Sequence, residues 1–318
     1  MLQEFNKPQA LFISLFLYIA LIPFTYMITM HIVDLYFPID YCYIILFSDW
    51  FLTTLIYILS VIIGNCSLID FYWTIWPLFQ LYYTFLLKNL NQNVSIFSSY
   101  KLILTAIIMT LWGLRLTYNY IRSWQGFKFV DFRISELMEI LPKNRFIIWL
   151  VLYFEYFIFP GLFLYFAKIP IITYVLFSDP GKFSLIHATG LIMMFFAVCY
   201  QTIADKQLYL HRIGPDHHKI LDSGVWQYSR HPNYFGEMTF WWGAFILSHE
   251  IYFDYNETLW YLIGPIVMTL LFFFMTGPWM DRHMMRKRPE YKEYMNKNRS
   301  LVIPWFRNDE KEEALKTE

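Results

Sequence analysis

Eight apolar runs, near 10–33, 43–64, 68–87, 101–121, 146–167, 184–204, 234–248 and 257–278, decide what this chain can become. A bilayer's hydrocarbon core is about 30 Å thick, which a helix crosses in roughly 20 residues. With no water in that core, each crossing segment must satisfy its own backbone hydrogen bonds, and an α-helix does so alone. The expected fold is therefore all-α, a polytopic membrane helix bundle with about eight transmembrane helices. The run at 234–248 is short for a span, and reaches across only if its helix starts at Pro232 and tilts little. Composition agrees, since 57% of the 318 residues are hydrophobic, 22% aromatic and only 16% charged.

Basic residues gather in 122–145, in 205–231 and beyond Met280, whereas 34–42 and 249–257 hold acids and no Lys or Arg. That asymmetry predicts both termini on the cytoplasmic side. A formal net charge of zero gives no field to draw nucleic acid, and basic clusters beside spans suit lipid headgroups. Cys42, Cys66 and Cys199 are scattered and odd in number, so neither a disulfide framework nor a zinc site is expected. His211, His217 and His218 sit in a polar stretch without cysteine partners, and no metal is expected there either. The chain lacks the Gly-rich, Walker and Gly-x-Ser-x-Gly signatures, which leaves a Rossmann domain, a P-loop and a hydrolase elbow unsupported. No repeat or linker divides it. The organisation predicted is amino-terminal helices over 1–64, a membrane domain over 65–306 with its site on the cytoplasmic side, and a charged tail over 307–318 without fixed structure.

Charge inside spans costs roughly 2.5 to 3.5 kcal/mol per residue at a helix centre, so each charged residue needs a partner, a cavity or a task. Asp49, Asp70, Arg115, Glu155 and Glu237 fall inside the predicted spans. Asp49 and Arg115 lie near run ends and are expected to reach the interface, while Asp70 and Glu155 call for a helix partner or a function. The densest chemistry is Tyr228 to Glu237, where Arg230 and His231 precede Pro232 and then Asn233, Tyr234 and Glu237. Proline suits the first turn of a helix, so the amino end of that helix should meet both cations and form an anion site. Asn233 and Glu237, four apart, share a face one turn deeper. A ligand with an anionic end and a polar, uncharged end fits, as a nucleotide does; an interfacial anchor of aromatics and snorkelling cations is the competing reading. Gln201, Asp205, Leu208 and Arg212 share one face of the preceding helix, and Tyr291 and Tyr294 share one side of a tail helix.

The segments Ser67 to Trp73, Trp112 to Leu116, Ala204 to Gln207, Gly224 to Glu237 and Tyr291 to Pro304 make the chain similar to the membrane reductase superfamily of steroid 5-alpha-reductases and sterol Δ14 reductases. It most resembles an uncharacterised branch with the steroid reductase C-terminal domain, and the likeness covers about 65–306. The resemblance implies an NADPH site in the cytoplasmic half of the bundle, with cofactor contacts from Asp205, Arg212, Tyr228, Arg230, His231, Asn233, Tyr234 and Glu237, and from Tyr294 and Arg299 in the tail. It implies a lipid substrate entering from the bilayer, reduction of a carbon–carbon double bond, and residence in the endoplasmic reticulum. Asp70 and Tyr118 are then the expected catalytic acid and phenol. The Arg-His-Pro and Glu pattern also resembles isoprenylcysteine carboxyl and phospholipid methyltransferases, which use S-adenosylmethionine. Those enzymes carry paired glutamates where this chain has Asp281, Arg282 and His283. A noncatalytic sterol- or lipid-binding membrane protein stays open as a third reading.

Overall fold

The computed structural model describes residues 6–36, 41–92, 99–128, 130–179, 181–251, 258–298 and 300–305. Among these there are helices and no strand. Helix α1 spans Lys7–Tyr36, α2 Tyr41–Ile63, α3 Ile69–Gln92, α4 Tyr100–Ser123, α5 Phe132–Ile140, α6 Arg145–Leu152, α7 Phe159–Phe177, α8 Leu185–Ile213, α9 Pro232–Leu247, α10 Thr258–Leu270, α11 Gly277–Lys287 and α12 Tyr291–Lys297. Six helical stretches are long and apolar enough to cross a membrane: Lys7–Thr29, Tyr41–Ile63, Tyr100–Ser123, Arg145–Phe177, Leu185–Ile213 and Trp260–Lys287. Helices occupy all eight predicted runs, but α3 and α9 are not among the six. Helix α3 dilutes its apolar residues with Asp70, Gln80, Lys88 and Asn89, and α9 has only 16 residues.

Two of the long stretches contain a π-helical turn, at Tyr153–Ile158 before α7 and at Leu271–Thr276 before α11. Proline explains both. Pro160 and Pro278 have no N–H to give the carbonyl four residues back, so the residue ahead of each reaches one residue further. Phe159 N–H thus donates to Phe154 O, and Gly277 N–H to Phe272 O.

The chain forms two compact units, Met1–Ser184 with Ser248–Gly264, and Leu185–Leu247 with Pro265–Glu318. In the first, α3 packs on α4 and α7, and α2 packs on α1 and α7, around fully buried Trp76, Trp112, Trp124, Tyr72 and Tyr174. Three lysines are buried here as well. Lys88 Nζ donates to the carbonyls of Leu176 and Ser178 at 3.0 and 2.7 Å, serving the last turn of α7 where backbone acceptors lack helical donors. Lys101 pairs with Glu250 at 2.9 Å. Lys168 pairs with Asp49 at 2.7 Å, which corrects the expectation that Asp49 reaches the interface: its carboxylate is 3% exposed and neutralised from α7.

In the second unit α8 and α9 pack backbone to backbone, and glycine permits it. A Cβ at Gly190 would lie 2.5 Å from Leu247 N, and one at Gly243 would lie 2.9 Å from Met194 N. The end of α8 continues as predicted through Gln201 and Asp205 to Arg212. After Lys297 the chain returns beside the segment ahead of α9, where Arg230 N–H donates to Ser300 O, His231 N–H to Leu301 O, and Trp305 N–H to Tyr228 O.

Candidate functional site

The segment entering α9 is organised by one carboxylate. Asp281, from α11, is 4% exposed. Its Oδ2 accepts from Arg230 Nε and Nη2 at 3.1 and 3.0 Å, and its Oδ1 faces His231 Nε2 at 2.9 Å and accepts from the Tyr291 hydroxyl at 2.7 Å. Arg230 Nη1 donates to Asn298 O at 2.8 Å. The amides of Arg230 and His231 are bound to Ser300 O and Leu301 O, so both residues are held by their backbone as well as by their side chains. The two cations of the expected anion site thus share a carboxylate of the protein. A buried guanidinium holds a partner because an uncompensated one is costly, and the partner lies too far along the chain to be read from the motif. Tyr291, rather than Tyr294, joins this cluster; Tyr294 is buried and donates to Trp226 O at 2.6 Å. Arg299 lies outside the described residues. Burial pushes the Tyr291 hydroxyl well above the usual phenol range, and the Asp281 charge adds to it.

One turn deeper lies a second polar group. Glu237 Oε2 accepts from Gln201 Nε2 at 2.6 Å, and its Oε1 accepts from Trp241 Nε1 at 3.1 Å. Gln201 Oε1, Asn233 Oδ1 and the Tyr200 hydroxyl are buried and accept or donate nothing. Gly236 makes the arrangement possible, because Gln201 Cγ occupies the place of its absent Cβ. The face of α8 that carries Gln201 also carries Asp205, 8% exposed, and ends at exposed Arg212. Tyr234 is stacked between His231 and Phe272, each ring centroid 4.9 Å away. Tyr228 is half-buried and contributes its carbonyl to Trp305. Of the predicted cofactor residues, the structure thus joins Arg230 and His231 in one cluster and Asn233 and Glu237 in the next. Asp281, Tyr291, Gln201 and Tyr200 are the residues that sequence reasoning left out of the site.

The predicted catalytic residues belong to the other unit. Asp70, in the first turn of α3, interacts with the Tyr120 hydroxyl and with the charges of Arg133 and Asp131. Tyr120 OH also donates to Ser67 O at 2.8 Å. Tyr118 is not part of that group: it is 64% exposed, with the Arg122 guanidinium 5.3 Å from its ring centroid. Two residues along a helix turn a side chain by about 200°, so Tyr118 and Tyr120 cannot serve one face. Among the described residues no group of His, Cys, Asp and Glu is arranged to hold a metal ion.

These features define a polytopic helical membrane protein with buried polar clusters in both of its units. More particularly, the chain belongs to the family described as "Protein of unknown function (DUF1295)", whose profile matches residues 56–298. It is similar to an uncharacterized protein of Schizosaccharomyces pombe, with 27% identity over 234 residues that cover 65% of this chain and 64% of the relative. The match therefore spans under two thirds of that relative's length. No solved structure matches the chain.

Proposed function

We propose that the protein is a membrane-embedded, NADPH-dependent reductase of a conjugated carbon–carbon double bond in a hydrophobic substrate, of the steroid 5-alpha-reductase-like kind and resident in the endoplasmic reticulum. The observation that carries this reading is the Glu237 cluster. A carboxylate with two buried amide oxygens near it, Gln201 Oε1 and Asn233 Oδ1, both without a partner, is an acceptor-rich cluster between α8 and α9. Unpaired buried acceptors of this kind are costly to leave unmet, and ribose hydroxyls or a carboxamide N–H would meet them. Arg212, at the exposed end of the same α8 face, supplies a cation for a 2′-phosphate. Arg230 and His231 act through Asp281 by fixing where α9 begins.

When bound, NADPH supplies the hydride. The protein's remaining tasks are to polarise the conjugated carbonyl, hold a proton and keep water away. Asp70 with Tyr120 is the acid–phenol pair assigned to the proton, in place of the pair with Tyr118. A cluster of acceptors also suits the amino group of S-adenosylmethionine, and that reading is tested in the same experiment. The detergent-purified protein is heated with NADPH, NADH or S-adenosylmethionine. A ligand at about 100 times its dissociation constant adds roughly 2.7 kcal/mol of stability. Stabilisation by NADPH that Glu237→Gln removes is the expected result. Stabilisation by S-adenosylmethionine alone would replace the reductase with a methyltransferase, and a response to neither would leave a lipid-binding protein.

A further inference from the structure

Two spanning stretches, Leu185–Ile213 and Trp260–Lys287, end within the second unit. The first has no Lys, Arg, Asp or Glu ahead of Asp205, and the second has none ahead of Asp281. Twenty and twenty-one such residues rise about 30 Å, the thickness of the hydrocarbon core. The charged ends, 205–213 and 281–287, rise roughly 10 to 13 Å more and so stand at the outer edge of the headgroup layer. Hydrogen bonds hold these two ends together. Arg288, directly after α11, donates from Nη1 to Lys219 O at 2.5 Å and from Nη2 to His217 O at 2.8 Å. His211 Nε2, at the end of α8, lies 3.0 Å from the same Lys219 carbonyl. Within 214–219, His217 N–H donates to Gly214 O at 3.2 Å and Lys219 N–H to Asp216 O at 2.8 Å, so the segment is a folded turn pinned to the end of α11. Exposed Arg282, Arg286 and Lys287 thus share one end of the unit with exposed His217, His218 and Lys219. Nearby acids do not cancel them. Asp281 is bound by Arg230 and His231, Asp216 pairs with Lys219 at 2.7 Å, and Asp205 is 8% exposed. Exposed Asp222 and Glu290 are the remaining acids of 205–222 and 281–292, against eight Lys and Arg in the same stretches.

From this we infer that the joined ends of α8 and α11 are a docking site for a phospholipid whose headgroup carries phosphate monoesters, as a phosphorylated inositol does. A phosphodiester lies within the headgroup layer, whereas a monoester on an inositol ring stands above it, at the height of Arg282, Arg286 and Lys287. Arg282 and Arg286 are four apart on one side of α11, and guanidinium forks match phosphate oxygens. Lys and Arg gathered immediately beyond a span are what an anionic headgroup favours. The pinned turn adds His217, His218 and Lys219 at fixed places, so they need little ordering on binding. The chain's own segment 309–318, with five acids against two lysines, is the rival occupant by charge. Height at the headgroup layer favours the lipid. The inference does not rest on the reductase reading, since neither Arg212 nor the Glu237 cluster is invoked.

The test titrates the full chain in detergent with dioctanoyl phosphatidylinositol bisphosphate, phosphatidylinositol and phosphatidylserine, and with free inositol trisphosphate. Thermal unfolding confirms that each variant is folded. Saturable binding of the bisphosphate lipid is expected, at least tenfold tighter than either of the other lipids. Arg282→Gln, Arg286→Gln and Lys287→Gln combined should weaken it about a hundredfold, since each basic residue at a membrane surface is worth about a fivefold factor. Arg288→Gln, which releases the 214–219 turn from α11, should weaken it about tenfold. Lys128→Gln, Lys143→Gln and Arg145→Gln combined, equally exposed but in the first unit, should leave it unchanged. Equal affinity for the bisphosphate lipid and phosphatidylserine overturns the site even if a variant fails to fold. Undiminished binding by the α11 triple variant, or equal loss in the first-unit control, also overturns it. Inositol trisphosphate bound as tightly as the lipid would make the patch a site for a soluble phosphate ester and sink the docking proposal. Binding gained only by a chain ending at Phe306 would assign the patch to the acidic segment instead.

Discussion

His231 Nε2 lies 2.9 Å from Asp281 Oδ1, although fifty positions separate the two residues along the chain. The same carboxylate binds the Arg230 guanidinium, and all three side chains are under a tenth exposed. Removing the shared acceptor leaves a buried guanidinium uncompensated. Asp281→Ala should therefore cost about 3–5 kcal/mol, seen as a large drop in unfolding temperature. An unchanged temperature would mean that this cluster does not hold the start of α9.

The contact of α8 with α9 admits no side chain at Gly190, where a Cβ would stand 2.5 Å from Leu247 N and 2.8 Å from Gly243 O. Both are backbone atoms and cannot swing aside. Gly190→Val should prevent the two helices from seating, and loss of a monodisperse peak on size-exclusion chromatography would report it. Full retention of that peak would contradict the packing.

Tyr118 and Tyr120 invite a paired comparison. Tyr118→Phe keeps the ring beside Arg122 and loses only an exposed hydroxyl, so stability and turnover should stay unchanged. Tyr120→Phe deletes the hydrogen bond to Ser67 O and should cost about 1 kcal/mol. If the proposed acid–phenol pair is right, Tyr120→Phe also lowers kcat with little change in KM for NADPH. The reverse ranking of the two variants would return the role to Tyr118.

Asp131 caps α5, accepting from Arg133 N at 2.8 Å, and grips the Arg133 side chain at 2.9 and 3.0 Å. Burial opposes its charge, but the Arg133 guanidinium outweighs burial and holds the carboxyl below the usual carboxylate range. A carboxyl depressed by folding contributes stability in full above its unfolded value of about 3.9 and loses it as pH falls through the folded value. Amide exchange across 132–140 should therefore rise below about pH 4 in the native protein. Asp131→Asn should show raised exchange already at neutral pH, with no further acid step.

Helix positions were legible because apolar runs of spanning length leave the backbone no other means of satisfying itself. Pro232 opens α9 as its fixed φ predicts, and the face Gln201, Asp205, Arg212 is helical throughout. Partners across the fold were not legible. Lys168 falls one residue beyond the apolar run that ends at 167, so Asp49 looked unpaired, and Asp281 stood out only as a departure from a glutamate pair. Tyr118 and Tyr120 differ by which side of α4 they leave, which depends on where α3 packs rather than on either residue. Short α5 escaped notice because it is not long enough to span.

The π turn at Tyr153–Ile158 means that this membrane helix holds one residue more than a regular α-helix of the same rise needs. Such a residue is a removable unit of length. Deleting one position there would close the wide turn and leave Arg145–Leu152 and Phe159–Phe177 facing nearly as they do now. Family members that differ by a single residue in this stretch would share the same span and present the same faces to the lipid, the difference being taken up in one turn.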